Sequence, residues 1–309
     1  KRRWSIYLKM KAAPEPIWER DVPFWTIPGT DQQLLCDLWR PGDGHISGLA
    51  FVYCHGGAWA IGDKDFLTRP FFHHLAAQGH TVMDVAYRLC PEVDIYGMVG
   101  DSKRAIAWMK ANASRYGVNP EKIVLGGASA GGHLAQLAGY TPEHPELTPE
   151  DLISANLSVS GVISFYGPTD LLTLYQYMKF QPTAGRSPLH NGPDSTPSKR
   201  DLGRDPLFFL LGGWPQDAPD MYKFASPITH VHPGCPPTLL IQGNHDVVCS
   251  MDATRALYAK LVEFGVQVIN VVFPSTAHGF DAALPQINPA AQSALYDVDR
   301  FLALMVYKN

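Results

Sequence analysis

Lys122-Ile123-Val124-Leu125-Gly126-Gly127-Ala128-Ser129-Ala130-Gly131-Gly132 is the stretch on which the fold turns. A short apolar run, without polar alternation, passes through small residues into a stretch with helical spacing over 131–139. Such a run suits a strand buried on both faces. The crowding of glycine and alanine around one serine suits a sharp strand-to-helix turn, where larger neighbours would clash.

Working outward, the same grammar repeats. Unalternated apolar runs at 49–54, 81–85, 157–165, 238–241 and 268–273 are separated by helical patterns near 66–78, 99–116, 251–264 and 289–306. Alternation of strand and helix implies a mostly parallel sheet with right-handed crossovers and helices on both faces. Upstream, 22–27 and 33–39 flank Pro28-Gly29-Thr30-Asp31, with Leu34, Cys36 and Leu38 in period two, which predicts an antiparallel hairpin at the sheet edge. The expectation is one α/β domain over 1–309 with eight strands, residues 1–21 serving as a leader that contributes to a cap.

One connection is too long. Residues 167–237 separate two strands that about a dozen residues would join. The excess predicts an inserted cap over about 168–235, with a Pro/Gly/Ser-rich, mobile stretch at 181–199 and an apolar segment Leu207-Phe208-Phe209-Leu210-Leu211. Connections leaving the carboxyl ends of parallel strands lie over the ligand edge, so this cap is expected to roof the site.

Composition narrows the function classes. Apolar residues make up 46% of the chain and charged ones 17%, enough for a large core and too little charge for a disordered chain. A formal net charge of −4 offers no footprint for nucleic acid. No apolar run spans a bilayer. Five cysteines at 36, 54, 90, 235 and 249, without a C-x-x-C pair, argue against a disulfide framework or zinc site and favour a reducing, cytoplasmic compartment. The chain starts at Lys1 without methionine, so secretion or anchoring is left open. No metal and no cofactor are expected: His73-His74 face different ways on a helix, His230-x-His232 lacks carboxylates, and neither nucleotide-binding glycine pattern occurs.

The chemistry-bearing residues follow in order. Gly127-Ala128-Ser129-Ala130-Gly131 fits G-x-S-x-G, with Ser129 as candidate nucleophile. A serine hydroxyl needs a base, and the base a carboxylate to orient it. Asp246 follows the run 238–241 and His278 follows 268–273, the positions and order expected for acid and base. Asp170, in Tyr166-Gly167-Pro168-Thr169-Asp170, is a rival acid whose other role would be capping the helix from Leu171. His55-Gly56-Gly57-Ala58-Trp59 supplies backbone N–H groups for an oxyanion: Gly57, Ala58 and, after the nucleophile, Ala130. His55 reads as a structural hydrogen-bonder of that loop. Trp59, Tyr87, Trp214, Phe208 and Phe209 are candidate walls of a substrate pocket.

These residues resemble the hormone-sensitive-lipase-like branch of α/β-hydrolases from about Val22 onward. The likeness rests on His-Gly-Gly-Ala-Trp, Ala86-Tyr87-Arg88-Leu89-Cys90-Pro91-Glu92, Asn119-Pro120, Gly-Ala-Ser-Ala-Gly-Gly-His, Tyr-Gly-Pro-Thr-Asp and His278-Gly279-Phe280. Ala58 replaces a third family glycine and Ala128 an acidic residue often found before the serine. The resemblance implies an α/β-hydrolase fold and a serine carboxylesterase acting on small-molecule esters, often with short acyl chains, through an acyl-enzyme. It leaves open a homodimer through the last helix or strand. Two other readings stay open. One is an amidase or formamidase with the same triad, as in kynurenine formamidases. The other is a non-catalytic ligand receptor on the same scaffold, which usually lacks the histidine.

Overall fold

The computed structural model describes residues 15–42, 44–180, 205–282 and 288–307. The predicted hairpin forms around Gly29, whose φ of +79° is the left-handed value such a turn demands. It joins β1 (Ile17–Thr26) to β2 (Gln33–Arg40). The unalternated runs become β3 (Ala50–Cys54), β4 (Thr81–Val85), β5 (Ile123–Ala128), β6 (Gly161–Phe165), β7 (Thr238–Gly243) and β8 (Val268–Phe273). Among the described residues the eight strands form one sheet, in the order β1-β2-β4-β3-β5-β6-β7-β8. β2 pairs antiparallel with β1 and β4, and every other pair is parallel, as expected for the α/β-hydrolase fold.

The helices are α1 (Arg69–Ala77), α2 (Ile95–Ala111), α3 (Ala130–Tyr140), α4 (Leu171–Phe180), α5 (Pro206–Leu211), α6 (Pro219–Phe224), α7 (Met251–Glu263) and α8 (Pro289–Tyr307). Successive residues of each central strand feed opposite cores. Val52, Leu125 and Leu240 pack with Met98, Leu134 and Leu257 from α2, α3 and α7. Phe51, Val124 and Leu239 pack with Phe72 and Val298 from α1 and α8. Each such side chain contributes about 1.5–3 kcal/mol on burial. Packing therefore fixes both faces of the sheet and leaves its carboxyl edge to carry function.

Boundaries moved where polar contacts outweigh apolar pattern. β1 starts at Ile17 because Glu19, Arg20 and Asp21 are tolerated on an edge strand, which bulges on either side of Val22. α2 starts at Ile95, where the Asp94 carboxylate accepts the Gly97 N–H at 3.1 Å. It ends at Ala111, and 113–116 forms a separate 3-10 turn closed by left-handed Gly117. β6 starts at Gly161, since 157–160 is a loop in which Asn156 accepts the Ser158 N–H.

Between β6 and β7 lie α4, α5, α6 and a 3-10 turn at Pro227–His230. Leu171, Leu174, Leu210 and Tyr222 join the core cluster that contains α2 and α3, so these helices are continuous with the main packing. Of the expected leader 1–21, residues 1–14 lie outside the described residues and 17–21 belong to β1, and the stretch expected to be mobile, 181–199, also lies outside the described residues. Fully buried Lys103 of α2 ties down the far end of α3: its ammonium donates to the Thr141 carbonyl and, at 2.9 Å, to Thr148 Oγ1. Burial pushes this amine down to about 7.

Candidate active site

Ser129 occupies the single residue between β5 and α3, at φ +53° and ψ −120°. A side chain in that region costs of order 1–3 kcal/mol and persists only when its surroundings hold it. Here the Ser129 N–H donates to Phe165 O at 2.9 Å, locking the turn to the end of β6. The crossing is open only to glycine: a Cβ on Gly131 would stand 1.9 Å from Cys54 O, and one on Gly127 would stand 2.5 Å from the same atom. The small residues of the motif are thus the condition for laying α3 against β3.

Ser129 Oγ lies 2.9 Å from His278 Nε2, and His278 Nδ1 lies 2.8 Å from Asp246 Oδ2. An ionised carboxylate only accepts, so Nδ1 carries the proton and Nε2 is left with a lone pair for the serine hydroxyl. Asp246 is 4% exposed, and its Oδ1 accepts the N–H groups of Val248 and Cys249, each at 2.8 Å. From α4 the Tyr177 hydroxyl donates to Asp246 O at 2.9 Å. The rival acid is engaged elsewhere: Asp170 Oδ1 accepts the Thr173 N–H at 2.8 Å and caps α4.

The loop after β3 brings donors to the same edge. Gly57, Ala58 and Trp59 have φ values of +127°, +49° and +59°. A Cβ on Gly57 would meet Ile61 O at 1.9 Å. Gly57 O accepts the N–H of Ala60 and of Ile61, both at 3.0 Å. The N–H groups of Gly57 and Ala58 meet no protein acceptor among the described residues. Ala130 is the first residue of α3, where an N–H has no intrahelical partner.

Support for this loop comes from buried side chains. His55 donates through Nδ1 to Gly56 O at 2.6 Å and stacks on Tyr87 at 4.4 Å between centroids, while the Tyr87 hydroxyl donates to His55 O at 2.8 Å. Trp59 Nε1 donates to His133 Nδ1 at 3.2 Å. Indole nitrogen can only donate, so His133 is the neutral Nε2–H tautomer, and it passes that proton's hydrogen bond to Ala225 O at 2.8 Å. Burial pushes His133 down to about 4, which keeps it neutral.

Of the five expected pocket residues, Trp59 and Tyr87 are therefore buried in the support of the glycine loop. Trp214 is buried against Tyr175 and Phe208, whose rings lie 5.9 and 5.4 Å away. Phe208 meets Phe209 edge-on at 5.7 Å, and both are partly buried. Reading the sequence missed four contributors: His133, Tyr166, whose ring centroid lies 4.5 Å from that of His278, Tyr177, and the N–H pair at Val248 and Cys249. His133 had a signal, since it stands four residues after Ser129 on the first turn of the helix.

Asp246, Cys249 and His278 place three ligand-type atoms within 4.8 Å of one another. Burial and the Asp246 carboxylate push the Cys249 thiol well up, so it stays protonated and is a poor metal ligand. The oxygens of Asp246 already receive N–H donors, which is the chemistry of a hydrogen-bonded relay. All five cysteines are free and buried. The paired histidines hold structure: His74 faces Asp299 at 2.8 Å and His232 faces Tyr140 O at 3.1 Å. No helix among the described residues is long and apolar enough to cross a membrane.

Known proteins share this arrangement of elements. LipM, a probable carboxylic ester hydrolase of Mycobacterium tuberculosis, is 32% identical over 271 residues, covering 86% of this chain and 57% of LipM. The chain spans 57 to 58% of the length of LipM and of the mycobacterial esterases LipC and LipQ. Among solved structures, Thermogutta terrifontis esterase 2 phosphonylated by sarin is 26% identical, with a TM-score of 0.70 over 94% of this chain and 95% of that one. Esterase B from Lactobacillus rhamnosis, 23% identical with a TM-score of 0.71 over 96% and 88% of the two chains, shares the fold. The BD-FAE family model matches residues 36–261, from β2 into α7 and across both glycine motifs and Asp246, and the chain belongs to this family of α/β-hydrolases.

Proposed function

We propose that this protein hydrolyses carboxylic esters of small molecules through an acyl-enzyme, with Ser129 as nucleophile, His278 as base and Asp246 as orienting acid. The observation that carries the reading is the unbroken relay from Ser129 Oγ through the imidazole to Asp246, with links of 2.9 and 2.8 Å. His278 takes the hydroxyl proton as Ser129 attacks the acyl carbon. The N–H groups of Gly57, Ala58 and Ala130 receive the oxyanion, stabilisation that each donor typically supplies at 10²–10³ in rate. His278 then protonates the departing alkoxide, and a water it activates releases the acid. The helices between β6 and β7 act as the cap that shapes the substrate's surroundings, with Trp214 and Phe208 as its aromatic lining.

Support also comes from relatives named as esterases and from the likeness to Thermogutta terrifontis esterase 2, which sarin phosphonylates. The test is turnover of a p-nitrophenyl ester series from acetate to decanoate, with Ser129→Ala alongside and matched anilides in parallel. Loss of about 10⁴-fold or more in the variant is expected, and the native chain is expected to take a single paraoxon adduct, on Ser129, by mass spectrometry. Unchanged turnover by Ser129→Ala would sink the reading, and faster cleavage of anilide than ester would move it to amide hydrolysis.

A further inference from the structure

We propose that Tyr166 is a positioning residue for His278, an aromatic platform that fixes the imidazole and stabilises the positive charge the ring acquires during turnover. The inference rests on His278 being the base of the proposed esterase. Tyr166 follows the last residue of β6 at φ +40°, a left-handed conformation that a bulky side chain rarely adopts. Its N–H donates to Ile241 O at 2.7 Å, so the backbone is held in that conformation by β7. The outcome is a ring centroid 4.5 Å from that of His278, tilted by 57°. Phe280, two residues beyond His278, braces the tyrosine ring at 5.4 Å, and Phe165 lies 6.3 Å away. Tyr166 is 4% exposed, so water does not screen its ring.

The separation lies inside the roughly 6 Å within which a cation is attracted by an aromatic ring. The imidazole is neutral while substrate binds and becomes a cation only after Ser129 has lost its proton. Attraction to the ring therefore grows between ground state and transition state, and only such a difference raises kcat. The Asp246 carboxylate reaches His278 from the Nδ1 side, while Tyr166 lies against the ring itself. The two supports are separate.

The experiment replaces Tyr166 by phenylalanine, by 4-fluoro-, 3,5-difluoro- and 3,4,5-trifluorophenylalanine, and by leucine, and measures kcat, KM and melting temperature on one p-nitrophenyl ester. Fluorination drains the ring face of electron density at nearly constant shape. Tyr166→Phe is expected to stay close to the native kcat, the fluorinated series to decline stepwise, and Tyr166→Leu to lose roughly 3- to 30-fold, all with KM within about twofold of the native value. A flat fluorinated series would overturn the proposal, and so would a loss confined to KM, which would make the ring a pocket wall. If Tyr166→Leu fails to fold, the fluorinated series still decides. Ser129→Ala runs as control: activity surviving there would remove the esterase reading itself, whereas activity lost there with a flat Tyr166 series removes only the platform.

Discussion

Asp246 shows how much one side chain does here. Its Oδ1 holds the turn by accepting two N–H groups, and its Oδ2 faces the imidazole. Asp246→Asn can keep the first task and spoil the second, because an amide N–H₂ turned toward His278 favours the wrong tautomer. The expected outcome is a kcat lowered by about 10⁴ with unfolding free energy within about 1 kcal/mol of native, read from ester turnover and a urea titration. A large stability loss with modest change in kcat would contradict this division of labour. The convergence of Ser129, Asp246 and His278 was legible in the sequence because each follows an apolar run and their order matches a known relay. The packing of Tyr166 on His278 was not, because it depends on a left-handed backbone and on the placing of a residue far along the chain. Tyr87 was read as a candidate pocket wall, whereas it is buried and its hydroxyl donates to the backbone of His55.

At the scale of elements, two glycines stand where a side chain would strike backbone, one under the sheet and one in the donor loop. Gly131 lies where α3 crosses β3, and any Cβ there meets the Cys54 carbonyl of the neighbouring strand at 1.9 Å. Gly131→Ala should force strand and helix apart, costing roughly 3 kcal/mol or more and showing as a lowered melting temperature or insoluble protein. Gly57→Ala strikes a partly exposed loop, at φ +127° and 1.9 Å from Ile61 O. It is expected to lower kcat by roughly 10²-fold or more, and also the melting temperature, because the new Cβ forces the loop to move; a near-native kcat in the folded variant would argue against the loop's role as oxyanion donor. The main elements were legible from periodicity, since strands buried on both faces leave unalternated apolar runs. Edges and caps were less so. The polar start of β1 carries the charges of an edge strand, and the beginning of α2 is set by one hydrogen bond at Asp94 rather than by any apolar residue.

Stability of the whole molecule should depend on pH through histidines kept neutral inside it. Burial holds His133 and His80 down to about 4 in the folded protein, whereas an unfolded chain takes up those protons near 6.5. The depressed folded values mean that stability is fully present above about 6.5 and falls as pH drops toward 4, because the unfolded state then binds more protons. The loss is on the order of 3 kcal/mol for each histidine at the lower limit. Urea titrations at pH 7.5 and 5 should show it, with a shallower difference in His133→Gln, and equal stability at the two pH values would refute it. The sheet order adds a consequence in time. Ser129 follows the central strand β5, whereas Asp246 and His278 follow the last two strands, β7 and β8. A chain growing on a ribosome emerges amino end first. On the proposed mechanism the nucleophile is therefore made long before its base, and a nascent chain is expected to stay chemically silent until the segment with His278 clears the exit tunnel and docks.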